Sequence, residues 1–242
     1  MSGRHLGAVA AFVLCLFTVA AAAASAQVGH SPSSSPYHEI YKGHTFTAIG
    51  GYIMGDGGRF GIGPHDGPLY GFRYDIRTAS ATQFGLQITQ GDLQRLIVDP
   101  FVELANRVSG PVDQRVTFLE ADLQFNLTGG KTWHRLAPFV GAAVGLALAE
   151  DTPADTSGYD FGNKVYFSPH AGLRIFLTQR LHLRGDARVA FWKMKYPDTF
   201  TQEPPLEPGV PPNSNAVIRN GNVSEWTLEP WFQGGLGYSF RL

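Results

Sequence analysis

The stretch "RLHLRGDARVAF" (residues 180–191) alternates regularly between two kinds of side chain. One set is apolar or small and comprises Leu181, Leu183, Gly185, Ala187, Val189 and Phe191. The intervening set is charged or polar and comprises His182, Arg184, Asp186 and Arg188. A period of two predicts a β-strand with two unlike faces. The apolar face of such a strand meets either a protein core or lipid, and the rest of the sequence has to distinguish these cases.

The N-terminus predicts an exported protein. Arg4 and His5 precede the uncharged run "LGAVAAFVLCLFTVAAAAA", and the small residues Ala24 and Ala26 fit a cleavage site before Gln27. Residues 1–26 are therefore predicted to be a secretory signal peptide, followed by a polar lead-in over residues 27–44. The single cysteine lies in the signal peptide, so the predicted mature chain has no disulfide.

The composition excludes two other classes of protein. The chain has 19 Lys and Arg against 20 Asp and Glu, which does not suit a nucleic-acid binder or a polybasic membrane-surface protein. No run beyond the signal peptide approaches the ~20 apolar residues of a membrane-spanning helix. If the mature chain spans a membrane, it must do so as a closed β-barrel.

Eight alternating runs follow the lead-in. They are 45–54, 69–77, 82–89, 115–128, 137–149, 164–177, 180–191 and 227–242. Their connections alternate between long and short, so that every long one falls at the same end of an up-and-down barrel. The second long connection contains "LQRLIVDPFVELANRV", which either forms a short helix or extends the flanking strands. The longest contains "PPLEPGVPPNSN" (204–215), whose prolines predict an exposed loop.

The signal peptide, the alternating strands and the C-terminal run "WFQGGLGYSFRL" resemble the small eight-stranded outer-membrane barrels of the OmpA-like and OmpX-like type, within the porin-like family. The resemblance covers residues 45–242 and implies an antiparallel up-and-down barrel in the outer membrane of a Gram-negative-type bacterium, after Sec export. It also implies an assembly signal at Tyr238, Phe240 and Leu242, recognised by the barrel-assembly machinery. The family favours a terminal aromatic residue, whereas this chain ends on Leu242.

In such a barrel the polar faces of the strands line the lumen. The predicted lumen charges are Arg73, Asp75, Arg77, Glu120, Asp122, Arg174, Arg184, Asp186, Arg188, Glu229 and Arg241. Because an eight-stranded barrel has room only for its own side chains, these charges are predicted to pair and to plug the lumen. The aromatic residues predicted at the membrane interfaces are Trp133, Trp192, Tyr196 and Trp226.

Three motifs in the sequence could indicate a binding or catalytic site. Arg184-Gly185-Asp186 spells a cell-adhesion tripeptide but lies within a strand, and Asp56 and Asp66 lack the spacing of a calcium loop. Ser168 and His170, with Glu120 or Asp122, could form a hydrolase site, but these side chains are predicted to point inward. We therefore predict no catalytic residues, no metal site and no cofactor.

The function favoured by the sequence is a structural or surface-interaction barrel whose partners are outer-membrane lipid and, during insertion, the assembly machinery. The alternatives are a narrow channel for small or apolar solutes, with room beside Gly141, Ala143 and Gly145, and a lipid-modifying enzyme. A soluble exported barrel of the lipocalin type also remains open. That alternative places the apolar faces inside and the charged stripe in water.

Overall fold

The computed structural model describes residues 35–41, 43–102, 104–153, 155–203, 216–219 and 221–241. The predicted signal peptide, the first part of the lead-in, the proline-rich segment 204–215 and Leu242 lie outside the described residues. None of the described residues forms a helix long and apolar enough to cross a membrane.

The described residues form ten strands and two short 3-10 helices. The strands are β1 (Tyr37–Glu39), β2 (His44–Ile53), β3 (Gly67–Arg77), β4 (Thr82–Val98), β5 (Val108–Asn126), β6 (Lys131–Trp133), β7 (Leu136–Ala149), β8 (Asn163–Phe176), β9 (Leu181–Lys195) and β10 (Ser224–Phe240). The 3-10 helices are Leu104–Asn106 and Asp198–Thr201.

Eight of these strands close into an antiparallel barrel. The ring runs β2-β3-β4-β5-β7-β8-β9-β10 and is closed by pairing of β10 with β2. The connections 54–66, 99–107, 150–162 and 196–223 lie at one end, which we call the loop end. The connections 78–81, 127–135 and 177–180 lie at the other, the turn end. The predicted eight-stranded up-and-down barrel is therefore confirmed.

The exposure of the two faces of each strand shows whether the apolar face of residues 180–191 points into the barrel or outward. Arg184, Asp186 and Arg188 are 2–6% exposed, whereas Leu183 on the opposite face is 44% exposed. The same holds around the ring, where the outward side chains are mainly Phe, Leu, Ile, Val and Tyr. The charged side chains lie inside and the exterior is apolar, which is the reverse of a soluble barrel. This contradicts the lipocalin alternative.

The second long connection is mostly strand. β4 and β5 have 17 and 19 residues and continue beyond the ring as a two-stranded hairpin. Of the two alternatives that the sequence left open, extension of the flanking strands is therefore confirmed, with one 3-10 turn at the tip. From Asp92, the first charged outward side chain, to Val98 the hairpin spans about 20 Å of strand.

Part of the polar lead-in docks at the turn end. β1 pairs with β6, and the backbone N–H of Ile40 donates to the carbonyl oxygen of Gly130 at 3.0 Å. The side chain of Ile40 is buried with Ala137 and Phe176, two inward residues of the ring. The N-terminal segment 37–41 therefore covers part of the turn end.

Candidate functional site

The centre of the barrel contains four arginines and four carboxylates. We call them the charged layer, and they are Arg73, Asp75, Glu120, Asp122, Arg174, Arg184, Asp186 and Arg188. All eight residues are at most 6% exposed. An unpaired charge in such a place is costly, so the equal numbers of each sign matter for folding.

Arg188 joins two strands across the interior. Its Nη1 donates to Oε2 and Oε1 of Glu120 at 2.6 and 2.8 Å, and its Nε donates to Asp186 at 3.2 Å. Asp186 also accepts from Nε of Arg184 at 2.8 Å. The geometry is that of guanidinium groups bridging carboxylates, which is the strongest kind of charge-assisted hydrogen bonding that side chains form.

A second group of charges is centred on Arg73. Its guanidinium donates to Asp75, with Nη2 and Oδ1 at 2.7 Å, and also donates to Asp122. The other oxygen of Asp122 lies 3.0 Å from Nε2 of His170. Asp122 thereby links β3 to β8 through β5.

Arg174 has amide partners in place of carboxylates. Its Nη1 donates to Oε1 of Gln83 at 2.7 Å and its Nη2 donates to Oδ1 of Asn126. Gln124 completes this part of the interior by accepting from Nη1 of Arg184 at 2.8 Å and donating to Gln83 at 2.9 Å. Neutral amides therefore provide hydrogen-bond acceptors for Arg174 and Arg184 in this part of the interior.

Large aromatic side chains fill the barrel between the charged layer and the loop end. We call Phe118, Tyr166, Trp192 and Trp231 the aromatic layer, and each is at most 1% exposed. The Phe118 ring centroid lies 5.1 Å from that of Trp231 and 5.8 Å from that of Tyr166. The guanidinium of Arg188 lies 5.0 Å from the Trp231 ring, so the two layers are in contact.

Inward glycines provide the space for these side chains. A methyl group at Gly145 would overlap the ring of Tyr166, and one at Gly141 would overlap the imidazole of His170. The room that the sequence left for a conduit beside Gly141 and Gly145 is therefore occupied by side chains from β8.

The loops pack over the aromatic layer. Phe60, Tyr196 and Phe200 from two loops contact one another with ring centroids 5.2–6.0 Å apart. Ile62, Tyr159 and Ile218 are buried in the same apolar cluster. The apolar core of the protein thus lies at the loop end of the barrel.

A buried ion pair joins the hairpin to the third long loop. Nη1 of Arg95 on β4 lies 2.7 Å from Oδ2 of Asp155, and both side chains are 2% exposed. Burial alone would raise the pKa of Asp155, but hydrogen bonds from Ser157 and the adjacent Arg95 outweigh it and lower that pKa. The ionised form is therefore favoured, and it holds the loop against the hairpin.

Three of the predicted lumen charges lie outside the charged layer. Arg77 is half-buried at the turn end and donates to the carbonyl oxygen of Ile40 at 3.1 Å. Glu229 is buried near the loop end beside Gly55 and forms no ion pair with a described residue. The prediction for Arg241 is wrong: it is exposed beyond the end of β10, where its guanidinium lies 5.3 Å from the Tyr41 ring.

The prediction for Trp192 and Tyr196 as interface aromatics is also wrong. Both side chains point inward and are buried in the apolar core. Trp192 shares the inward face of β9 with Arg188, and Tyr196, the first residue after β9, continues the same alternation. Trp226 points outward and is 69% exposed, and Trp133 is half-buried in β6 against His134. In the predicted assembly signal, Tyr238 is 49% exposed on the outer face and Phe240 is half-buried beside His44.

Comparisons with known proteins bear on the fold. No protein-family model and no curated protein matches the chain. Among solved structures, the chain is similar to Neisserial surface protein A (NspA), with 11% identity over 82% of this chain and 98% of that one, and a TM-score of 0.54. The fold is that of a small eight-stranded outer-membrane barrel. The outer membrane protein OprG and the N-terminal β-barrel domain of OprF, both from Pseudomonas aeruginosa, match at 12% identity over 86% and 83% of this chain and all of theirs, with TM-scores of 0.49 and 0.44.

The residues weighed for hydrolysis do not form a nucleophile–base pair. Nδ1 of His170 lies 3.4 Å from the backbone oxygen of Ser168, and the Ser168 hydroxyl has no hydrogen-bond partner among the described residues. His170 instead contacts Asp122 within the charged layer. In the part of the chain that the structure describes, no three His, Cys, Asp or Glu side chains converge on a point that could hold a metal ion.

The sequence interpretation missed the aromatic layer and the pair Arg95–Asp155. A signal for the aromatic layer was present, because Phe118 shares its strand face with Glu120, and Trp231 shares its face with Gln233. No comparable signal marks Arg95 and Asp155, because their contact depends on how a loop folds back onto the hairpin.

Proposed function

We propose that this protein spans an outer membrane as a closed, non-conducting barrel and presents an interaction surface outside the cell. The main support is the inverted arrangement of side chains, with charges buried inside the barrel and an apolar belt on its outer surface. That belt suits a hydrocarbon solvent, and closure of the ring by β10 and β2 leaves no open sheet edge in it. The turn end then faces the periplasm and the loop end faces outward.

The packing of the interior supports a plugged lumen. The charged layer spans the barrel from β5 to β9, and the aromatic layer covers it on the loop side. Moving an ion through the barrel would require separation of buried ion pairs such as Arg188–Glu120. We therefore assign the protein a structural or surface-interaction role in place of transport or catalysis.

The tip of the β4–β5 hairpin is the proposed interaction surface. Four apolar side chains, which we call the apolar tip, are exposed there: Phe101 (54%), Val102 (37%), Leu104 (43%) and Val108 (57%). Their backbone is held by hydrogen bonds, because the N–H of Asp99 donates to Arg107 O at 2.9 Å and the N–H of Phe101 donates to the Asp99 carboxylate at 2.9 Å. Exposed apolar groups on an ordered turn are typical of a contact surface.

Cysteine labelling of intact cells tests the orientation. The only natural cysteine, Cys15, lies in the predicted signal peptide, so a single introduced cysteine reports one site. Phe101→Cys should react with a membrane-impermeant maleimide on intact cells. Lys131→Cys, at the turn end, should react only after the outer membrane is permeabilised. Labelling of residue 131 alone on intact cells would overturn the proposed orientation.

Partition of cells into hexadecane tests presentation of the apolar tip. Cells that express the wild-type protein should partition more than cells that express Phe101→Ser/Val102→Ser/Leu104→Ser at the same surface level. A matched control is Ser109→Ala, which alters an exposed polar residue next to the tip. Equal partition of wild-type and triple-variant cells would contradict an exposed tip.

A further inference from the structure

The outward side chains at the loop end of the barrel have an uneven charge distribution. Three exposed acids lie on β4, on β5 and at the first position after β7: Asp92, Asp113 and Glu150. The outward cation among them, Arg115, is paired with Asp92 at 3.0 Å. This part of the rim, which we call the acidic arc, therefore has excess negative charge.

The opposite part of the rim is basic. Lys193 and Lys195 follow Phe191 on the outward face of β9, and both are exposed. Trp226 of β10 is the direct cross-strand partner of Lys193 and is 69% exposed. Neither lysine forms an ion pair with a described carboxylate. Asp198, which shares a shallow cleft with Lys195, forms no ion pair with it either.

The topology keeps most of the acidic arc away from these lysines. In the ring, β9 lies four strands from β4 and three from β5, whereas Glu150, at the end of β7, is two strands from β9. None of the three acids forms an ion pair with Lys193 or Lys195. An anion from outside the chain can therefore serve as their counter-charge.

We propose that Lys193, Lys195 and Trp226 form a binding site for the phosphate groups of a phosphorylated lipid in the outer leaflet. The site rests on the orientation given under the proposed function, which puts these residues at the boundary between lipid tails and headgroups. There the lysine stems lie along apolar surface while the ammonium groups reach the phosphates. The indole of Trp226 suits the same boundary, because its ring is apolar and its N–H can bind a headgroup oxygen.

Lipid retention in native mass spectrometry tests the proposal, with bis-phosphorylated lipid A as the probe. Lys193→Gln/Lys195→Gln should bind this lipid about 30-fold more weakly than the wild type, given the usual contribution of a lysine near a charged headgroup. Lys193→Arg/Lys195→Arg should retain binding because it keeps both charges. Lys131→Gln, an exposed lysine at the turn end, is the matched control and should bind as the wild type does.

The comparison lipid is the same lipid A without its phosphates. The wild type should bind this lipid weakly, to the same extent as Lys193→Gln/Lys195→Gln binds the phosphorylated lipid. Equal binding of both lipids, or undiminished binding by the glutamine variant, would overturn the proposal. Displacement of the lipid by inorganic phosphate would also overturn it, since the site would then be one for a free anion.

A contact between copies of the chain is the alternative use of these lysines. Dimers that are abolished by Lys193→Gln/Lys195→Gln and also by Asp92→Asn/Asp113→Asn would assign the lysines to that contact and overturn the proposal. Heat-modifiable migration on gels, measured for each variant, reports barrel folding separately from lipid binding.

Discussion

Arg188 on β9 and Glu120 on β5 lie on strands three positions apart in the ring, yet Nη1 of the arginine is 2.6 Å from Oε2 of the glutamate. Both side chains are fully buried. The pair therefore ties two distant parts of the wall together through the centre of the barrel. Glu120 depends on Arg188 for its counter-charge, whereas Arg188 also pairs with Asp186.

Removal of Arg188 should destabilise the barrel more than removal of both partners. Arg188→Met leaves Glu120 buried without its cation, which typically costs ~3–5 kcal/mol. Arg188→Met/Glu120→Gln should recover much of that loss, because no isolated charge remains. Urea unfolding of barrels folded into lipid vesicles gives the free energies for a double-mutant cycle. A double variant as unstable as the sum of the single variants would show that the pair does not act as a unit.

The neighbouring residue should respond in the opposite way. Val189 lies on the outward face of β9, where an arginine costs ~2–4 kcal/mol at the bilayer midplane and less near the interface. Glu120→Gln should therefore not rescue Val189→Arg, since the introduced charge faces lipid. Rescue in the same urea assay would show that the faces of β9 are reversed.

Two glycines on opposite faces of the barrel form a second contrast. Gly145→Ala should cost ~1–3 kcal/mol, because the added methyl group overlaps the ring of Tyr166. Gly185→Ala is the matched control, since open space surrounds the position of the added methyl group. Urea unfolding of the two variants compares them directly. A cost at Gly185 as large as that at Gly145 would contradict tight packing of the interior.

The filled interior predicts an absence of steady conductance. Protein reconstituted into planar bilayers should show at most small and infrequent current steps, because ions would have to separate buried pairs in the charged layer and pass the rings of the aromatic layer. Barrel folding of the same sample, checked by heat-modifiable migration, excludes a trivial negative result. Large ohmic channels would overturn the plugged lumen.

The contact between the hairpin and the loop 150–162 should weaken in acid. The folded-state pKa of Asp155 is lowered, so its stabilising effect is present above the ordinary aspartate pKa of ~3.9 and is lost as the pH falls through the lower folded value. Amide hydrogen exchange in the loop, corrected for intrinsic rates, should therefore rise below about pH 4. Asp155→Asn should exchange faster at neutral pH and show little further change in acid. A pH response that survives in this variant would assign it to another group.

The alternation of side chains predicted the eight ring strands, the face of each charged strand that points inward and all eight residues of the charged layer. The same rule also places Trp192 correctly, because it lies four residues after Arg188 and therefore on the inward face. The sequence interpretation assigned Trp192 and Tyr196 to the membrane interface from residue type and from their position near the outer end of a strand. Strand parity is the stronger constraint here, since a side chain cannot change faces without a shift of the whole strand.

The partners within the interior could not be predicted from the sequence. Arg188 and Glu120 are 68 residues apart, and their contact depends on the stagger of the strands around the barrel. Arg174 illustrates the same limit, because strand faces alone do not show that its acceptors are Gln83 and Asn126.

The seam where the sheet closes is free of interior ion pairs. The inward residues of β2 are Thr45, Thr47, Ile49, Gly51 and Ile53, and the pairs of the charged layer join β3, β5, β8 and β9. The hydroxyls of Thr45 and Ser239 lie 2.8 Å apart across the seam, and the side-chain amides of Gln87 on β4 and Gln233 on β10 also bond across it. During assembly, the charged groups can thus find their partners while the sheet is still open. The final step, in which the first and last ring strands meet, then brings together backbone and mainly neutral side chains. The exception is Glu229 near the loop end of β10, which is buried without an ion pair to a described residue.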